Sequence, residues 1–207
     1  ILELRRRAKT LPDAVRASFT LNLLTEEGLP HFHRIISTAA KYGSKLGEWN
    51  NLWTGEEDRH GCVMNDYGRD SRFLKFRSVE EQKFDYIYAG FNPVFVGGPP
   101  FELYIYTTVQ EKATQISHDR TGIIAGNYDP ILQEILKKIK EDEARHYMFY
   151  LSLLKKILEC DPNEALVAMG KILPSIDMPG IAAPNFKAYA EVIARLGIYT
   201  LRDYKEI

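Results

Sequence analysis

Two short segments of the sequence place a glutamate three residues before a histidine: Glu57 with His60, and Glu143 with His146. Residues at i and i+3 share one face of a helix, so each pair offers one carboxylate and one imidazole to the same metal ion. A third glutamate, Glu26, follows Leu23 and precedes Leu29 on one helical stripe, and a fourth, Glu111, lies in a segment rich in Tyr, Thr and Val, 104–116. The pattern therefore predicts two metal ions gripped by the two pairs, with the two single glutamates bridging them.

The chemistry of these donors narrows the choice of metal. An ionised carboxylate on a buried stripe is costly unless it is paired, protonated or bound to a metal. Oxygen-rich ligation with one imidazole per ion suits iron or manganese better than structural zinc. Two single glutamates and two Glu-x-x-His pairs form the ligand pattern of ferritin-like di-iron proteins. The plain alternative, exposed salt-bridged acids, does not explain why these acids fall on four apolar stripes.

Further polar residues have expected roles around this centre. A ligating imidazole usually donates its second N–H to a carboxylate or carbonyl, so we expect Asp142 to contact His60 and Glu56 to contact His146. Three histidines have no acid at ligand spacing and are expected at the surface or in a satisfied core: His31, His33 and His118. Two cysteines, 62 and 160, are too few for a disulfide scaffold and are expected to be small buried side chains.

Composition excludes several classes of protein. The 27 Lys and Arg nearly balance the 28 Asp and Glu, which argues against disorder and against a broad nucleic-acid footprint. No apolar run approaches the roughly 18 residues of a membrane span. The cysteine usage fits a reducing cytoplasmic setting. We expect one domain over residues 1–207, preceded by further natural sequence because the chain opens with Ile1.

Helical periodicity dominates the chain and predicts an all-α fold. The main helices are expected over about 12–37, 46–67, 79–89, 101–125 and 130–159, with shorter C-terminal helices near 163–173, 185–195 and 200–206. Four long helices with short connections favour a four-helix bundle, and each carries one of the four glutamates. Pro30 lies four residues after Glu26 and predicts a kink there.

Several segments resemble those of the soluble acyl-[acyl-carrier-protein] desaturases, the stearoyl Δ9 type. They are 24–30 (LTEEGLP), 53–61 (WTGEEDRHG), 110–114 (QEKAT), 116–118 (ISH), 142–146 (DEARH) and 195–200 (RLGIYT), in family order. The resemblance implies a ferritin-like bundle with additional C-terminal helices, usually a homodimer. It also implies a di-iron site beside a bent tunnel for the acyl chain.

The same resemblance implies roles for individual residues. Six are implied as iron ligands: Glu26, Glu57, His60, Glu111, Glu143 and His146. Thr114 matches a threonine on the oxygen-binding side of the irons, suited to handling protons. Asp142 and Trp53 match positions tied to the histidine network and the cavity, and three positions match the side of the tunnel: Ile35, Thr38 and Ala39.

The implied reaction is the oxygen-dependent insertion of a cis double bond into an acyl chain on acyl carrier protein. Dioxygen and a ferredoxin-type electron donor are the implied co-reactants, and the implied location is the cytoplasm, or the plastid stroma in a plant. The sequence departs from the family at its N-terminal side, where an aromatic residue associated with the electron route is absent, in the short connection 39–47, and at Tyr147. Three alternatives stay open: a hydroxylase with the same ligands, a ferroxidase or metal-storage protein, and an inactive acyl-carrier binding module.

Overall fold

The computed structural model describes residues 1–91, 93, 95 and 100–207, so the glycine–proline segment expected to precede the fourth main helix lies partly outside the described residues. Within them the chain is all α-helical, as predicted, with two 3₁₀ turns over Leu173–Ser175 and Pro179–Ala182. The helices are α1 Leu2–Ala8, α2 Asp13–Glu27, α3 Leu29–Ala39, α4 Lys45–Asp70, α5 Phe76–Ala89, α6 Pro100–Gly126, α7 Pro130–Cys160, α8 Pro162–Ile172, α9 Phe186–Arg195 and α10 Leu201–Glu206.

Helices α2, α4, α6 and α7 form the central bundle. α6 and α7 pack along most of their length, α2 packs on α4 and α6, and α4 packs on α7. Two apolar clusters fill the bundle, and α7 passes through both, with Ile139 in one cluster and Tyr150 in the other. Glu143 and His146 lie between these two positions on α7, so the acidic layer lies between two apolar layers.

The first predicted long helix is two helices. Its expected kink is a break at Gly28, the residue that ends α2 and precedes α3. A Cβ at Gly28 would lie 2.9 Å from Cε1 of Tyr86, so a glycine allows α5 to approach closely. Pro30 falls in the first turn of α3, where its missing N–H leaves no helical hydrogen bond unmade.

The N-terminal helix α1 was not predicted. Its Arg7 donates from Nε to Oδ1 of Asp129 at 3.0 Å, and Asp129 is fully buried. Asp129 also accepts a hydrogen bond from the hydroxyl of Tyr67 and caps the start of α7. Arg7 therefore holds α1 against the buried start of α7.

Two further observations concern the surface. Cys62 and Cys160 are exposed, so the expectation that they are buried is wrong; both lie on outward faces of their helices. Among the described residues, the structure has no helix that combines the length and the apolar character needed to cross a membrane.

Candidate metal centre

The four bundle helices bring the six predicted ligand side chains together. All six are buried, at 7% exposure or less. Their donor atoms form two groups, each with all members within 4.8 Å of one another: Glu26, Glu57, His60 and Glu143, and Glu57, Glu111, Glu143 and His146. The geometry therefore offers two adjacent metal positions, each with three carboxylates and one imidazole.

Glu57 and Glu143 belong to both groups, whereas Glu26 and Glu111 each belong to one. Oε2 and Oε1 of Glu57 lie 3.4 Å and 2.9 Å from Nδ1 of His60 and of His146, respectively. Oε1 and Oε2 of Glu143 lie 3.6 Å and 3.7 Å from the same two nitrogens. The prediction that Glu26 and Glu111 bridge is therefore wrong, because packing of α4 on α7 puts the carboxylate of each pair between the two imidazoles.

Three of the polar atoms that face this space have no hydrogen-bond partner. Nδ1 of His60, Nδ1 of His146 and Oε1 of Glu57 are buried without a partner in hydrogen-bonding geometry. Buried polar atoms are rarely left this way, because each unmade hydrogen bond costs roughly 1–3 kcal/mol. Divalent metal ions fit here, since they would coordinate these atoms, and two of them would balance the charge of four carboxylates.

The outer nitrogens of both imidazoles are engaged. Nε2 of His60 lies 3.1 Å from Oδ2 of Asp142, and Nε2 of His146 lies 2.9 Å from Oε2 of Glu56. Both contacts are those expected from the sequence. They leave Nδ1 of each ring directed at the cluster, which is the arrangement of a metal-ligating histidine held by a carboxylate.

The crowding of carboxylates perturbs their pKa values. Burial, together with the nearby Glu57 and Glu143, raises the pKa of Glu26 well above its usual value. Burial likewise raises the pKa of Glu111, although His146 opposes the shift. Burial opposes the shift of Glu57, yet the adjacent imidazoles of His146 and His60 lower the pKa of Glu57 below its usual value. Four buried carboxylates at these distances therefore need compensating positive charge to be ionised together.

Each single glutamate is also held by a ring nitrogen. Trp53 donates from Nε1 to Oε1 of Glu111 at 3.2 Å. Nε2 of His118 lies 3.0 Å from Oε1 of Glu26, and His118 is 1% exposed. Sequence reasoning missed the contact of His118 with a predicted ligand. The sequence did contain one indication that His118 lies near the cluster. His118 follows Glu111 by seven residues, and this separation places both side chains on one face of α6.

Thr114 lies at the edge of the same cluster. Its hydroxyl is 3.1 Å from Oε2 of Glu143 and 3.1 Å from the backbone carbonyls of Gln110 and Glu111. The side chain also lines the cavity described next. Thr114 therefore joins a carboxylate of the cluster to the cavity.

A cavity of about 350 Å³ adjoins the carboxylates. Its wall includes all four glutamates of the cluster, and the rest is mostly apolar, with side chains from α2, α3, α6, α9 and the segment 176–181. Pockets of roughly 300–1,000 Å³ with few polar groups are typical small-molecule sites. A second cavity of about 10 Å³ shares four residues with the first: Phe32, Trp53, Gln110 and Glu111.

The three residues predicted beside a tunnel differ in their exposure to solvent. Ile35 is buried and lines the second cavity. Thr38 and Ala39 are exposed and line neither of these two cavities, so their placement beside a tunnel stays a prediction. In the last turn of α3, the hydroxyl of Thr38 donates to the carbonyl of Ile35 at 2.6 Å.

Comparisons with known proteins find similar sequences over the whole chain. A family described as "Fatty acid desaturase" matches residues 1–207. The stearoyl-[acyl-carrier-protein] 9-desaturase of Gossypium hirsutum is 33% identical over 222 residues, covering 100% of this chain and 56% of the relative. The palmitoyl-[acyl-carrier-protein] 4-desaturase 2 of Ophrys sphegodes is 34% identical over 220 residues, covering 100% of this chain and 58% of the relative. The chain thus spans a little over half the length of these curated relatives.

A solved structure shares the fold. The X-ray structure of DesA2 from Mycobacterium tuberculosis H37Rv, a candidate acyl-ACP desaturase, superimposes with a TM-score of 0.73. The match covers 95% of this chain and 69% of that chain at 18% sequence identity. At this identity the likeness supports the bundle architecture alone.

Proposed function

The chain belongs to the fatty acid desaturase family, and from that premise we propose that it introduces a cis double bond into an acyl chain carried on acyl carrier protein. One observation carries the proposal: the wall of a largely apolar cavity contains four buried glutamates that adjoin two buried histidines. An apolar cavity accommodates a hydrocarbon chain, and the acids beside it provide a place for a metal oxidant. The relatives named above act, by their names, on stearoyl and palmitoyl carrier-protein substrates.

The substrate explains why a metal is needed. The C–H bonds of a saturated chain are unactivated, so no side-chain base removes a proton from them. Two iron ions bound by the six residues would supply oxygen-dependent oxidation, in which dioxygen, two electrons and two protons remove two hydrogens and leave an alkene and two waters. The protein's part is to provide ligand geometry, exclude water and fix the chain relative to the cluster.

Individual residues divide this work. Glu57 and Glu143 face both metal positions, while Glu26 and Glu111 each serve one. We assign the catalytic role to Thr114, because its hydroxyl contacts Oε2 of Glu143 and faces the cavity, where it is suited to pass a proton. The apolar side chains around the cavity hold the acyl chain and keep bulk water from the site.

The proposal extends to partners and setting. Acyl carrier protein delivers the substrate, dioxygen is the oxidant, and a ferredoxin-type protein donates electrons. We further propose that residues 1–207 form one domain that acts as a homodimer. The relatives from Gossypium hirsutum and Ophrys sphegodes are chloroplastic by name. For this chain we propose a location in the cytoplasm, or in the plastid stroma if the source is a plant.

The decisive experiment loads the metal-free protein anaerobically with Fe²⁺ and then adds dioxygen, reduced ferredoxin and acyl carrier proteins with saturated chains of several lengths. We expect two irons per chain and a product that lacks two hydrogens by mass spectrometry. A product with an added oxygen atom would identify a hydroxylase instead, and iron oxidation without a changed acyl chain would identify a ferroxidase.

A matched pair of variants on α7 serves as the control. Glu143→Ala removes a carboxylate shared by both positions and should abolish iron loading and turnover. Glu134→Ala removes an exposed acid of the same helix, whose nearest cation is Lys137 at 3.9 Å, and should leave both unchanged. Equal activity in the two variants would refute the proposed site.

A further inference from the structure

His118 lies on α6 beside Glu26 and is almost wholly buried. Its Nε2 is 3.0 Å from Oε1 of Glu26, while the other oxygen, Oε2, lies 3.9 Å from Nδ1 of His60. One oxygen of this glutamate is thus occupied by His118, and the other faces the metal position nearest His60. His118 belongs to neither group of candidate ligand atoms, so a role as a ligand does not explain it.

A hydrogen-bonded chain determines which nitrogen of His118 carries the proton. Nδ1 of His118 lies 3.5 Å from the amide Nδ2 of Asn22, and the hydroxyl of Ser117 donates to Oδ1 of Asn22 at 2.9 Å. Because an amide nitrogen only donates, Nδ1 accepts and Nε2 carries the hydrogen that points at Glu26.

This series of hydrogen bonds begins at the wall of the cavity. Asn22 and Ser117 both line it, whereas His118 lies behind them. Every link has a donor and an acceptor in one consistent direction, from the Ser117 hydroxyl through Asn22 and His118 to the glutamate. Such a satisfied network restricts the rotation of each member, so the orientation of Glu26 is fixed from the cavity side.

We propose that His118 is a positioning residue that fixes one oxygen of Glu26 and thereby builds the metal position nearest His60. The inference rests on the proposed metal-dependent function and adds a residue to it. Trp53 holds Glu111 in the corresponding way at the other position. The two positions therefore have separate supports, and loss of the His118 support should weaken one position and spare the other.

Two substitutions of His118 distinguish a role in positioning Glu26 from a role in core packing alone. In His118→Gln, the side-chain amide nitrogen reaches the place of Nε2 and preserves the donor to Glu26. In His118→Asn, a shorter amide cannot reach Glu26. Metal-free wild type and both variants are titrated anaerobically with Fe²⁺ against a competing chelator, and melting temperatures of the metal-free proteins report folding.

Wild type should bind two equivalents of Fe²⁺. His118→Asn should retain one tight equivalent and bind the second about 10- to 100-fold more weakly, the usual effect of losing an outer partner of a ligand. His118→Gln should restore most of the second affinity. Two equally tight equivalents in folded His118→Asn would overturn the inference, whereas a wild type that binds no metal would overturn the proposed function itself.

A second variant protects the test against misfolding. Asn22→Ala leaves the imidazole in place but removes the donor to Nδ1, so the tautomer that points at Glu26 loses its support. The same weakening of one equivalent is expected, to a smaller degree than in His118→Asn. Trp53→Phe combined with Asn22→Ala should weaken both equivalents, and a double variant no weaker than Trp53→Phe alone would contradict separate supports.

Discussion

Oδ2 of Asp142 on α7 lies 3.1 Å from Nε2 of His60 on α4, so the histidine of one pair is oriented by an acid adjoining the other pair. The arrangement is reciprocal, because Glu56 on α4 contacts Nε2 of His146 on α7. Arginines complete both contacts: Arg59 lies 3.0 Å from Asp142, and Arg145 lies 3.2 Å from Glu56. The two Glu-x-x-His pairs are therefore fastened to each other at the surface of the bundle as well as in its centre.

Asp142→Asn should weaken the metal position nearest His60. Burial would raise the pKa of Asp142. Hydrogen bonds from His60, Arg145 and Arg59 outweigh burial and keep this pKa below its usual value, so Asp142 is a carboxylate at neutral pH. An amide is a poorer acceptor and carries no charge, and we expect about a tenfold loss of Fe²⁺ affinity at one position. Chelator-competed titration measures it.

The control for that prediction is Asp66→Asn on α4. Asp66 is exposed and pairs with Arg69, so its loss should change stability by less than about 0.5 kcal/mol and leave metal binding intact. If Asp142→Asn bound both equivalents as wild type does, orientation of His60 by Asp142 would have no measurable effect on the site.

Glutamates that belong to both groups of ligand atoms should affect the binding of two ions, whereas glutamates that belong to one group should affect the binding of one. Glu57 faces both histidines, whereas Glu26 lies in one group only. Glu57→Gln should therefore lower iron content toward zero, and Glu26→Gln should leave about half of the wild-type content. Elemental analysis of desalted protein gives both values directly. Equal iron contents in these two variants would contradict the division into shared and single ligands.

The ion pair of Arg120 on α6 with Asp203 on α10, called the clamp below, should make the free energy of unfolding depend on pH. Hydrogen bonding by Arg120, at 2.6 Å, lowers the pKa of Asp203 below its usual value. A carboxyl with a lowered folded-state pKa stabilises the fold above its unfolded pKa of about 3.9 and loses that contribution as the pH falls below it. Asp203→Asn should thus cost about 1 kcal/mol at neutral pH, since the partly exposed Arg120 limits the gain.

Urea unfolding of the metal-free protein at neutral pH and near pH 3 tests the clamp. The difference between wild type and Asp203→Asn should be present at neutral pH and shrink as the pH falls below about 3.9, because the unfolded wild-type chain then takes up a proton that folded Asp203 binds only at a lower pH. A difference that persisted unchanged in acid would show that the variant acts through packing or through the cap of α10, where Asp203 bonds Thr200, and not through charge.

Much of the fold and of the candidate site could be predicted because buried acids are costly and helical spacing is regular. The six ligand-type residues were identifiable from Glu-x-x-His spacing and from acids on apolar stripes. Spacing along one helix does not give distances between helices, so the bridging roles were assigned to Glu26 and Glu111 instead of Glu57 and Glu143. His118 was missed for a related reason: its partner, Glu26, is 92 residues away on another helix. The close approach of Tyr86 on α5 to Gly28 is likewise a contact between helices, which no local pattern reveals.

Thr114→Val should separate chemistry from metal binding. Valine keeps the shape of the side chain but removes the hydroxyl that contacts Oε2 of Glu143 at the cavity wall. No metal donor is lost, so two equivalents of Fe²⁺ should still bind, while formation of the unsaturated product should fall about tenfold or more if the hydroxyl passes a proton. Thr114→Ser, which restores the hydroxyl, should recover most of the rate, and Thr108→Val, whose hydroxyl bonds only the carbonyl of Tyr104 on the same helix, should leave it unchanged. Full activity of Thr114→Val with two bound irons would remove this threonine from the mechanism and leave the carboxylates and the cavity as the protein's whole contribution.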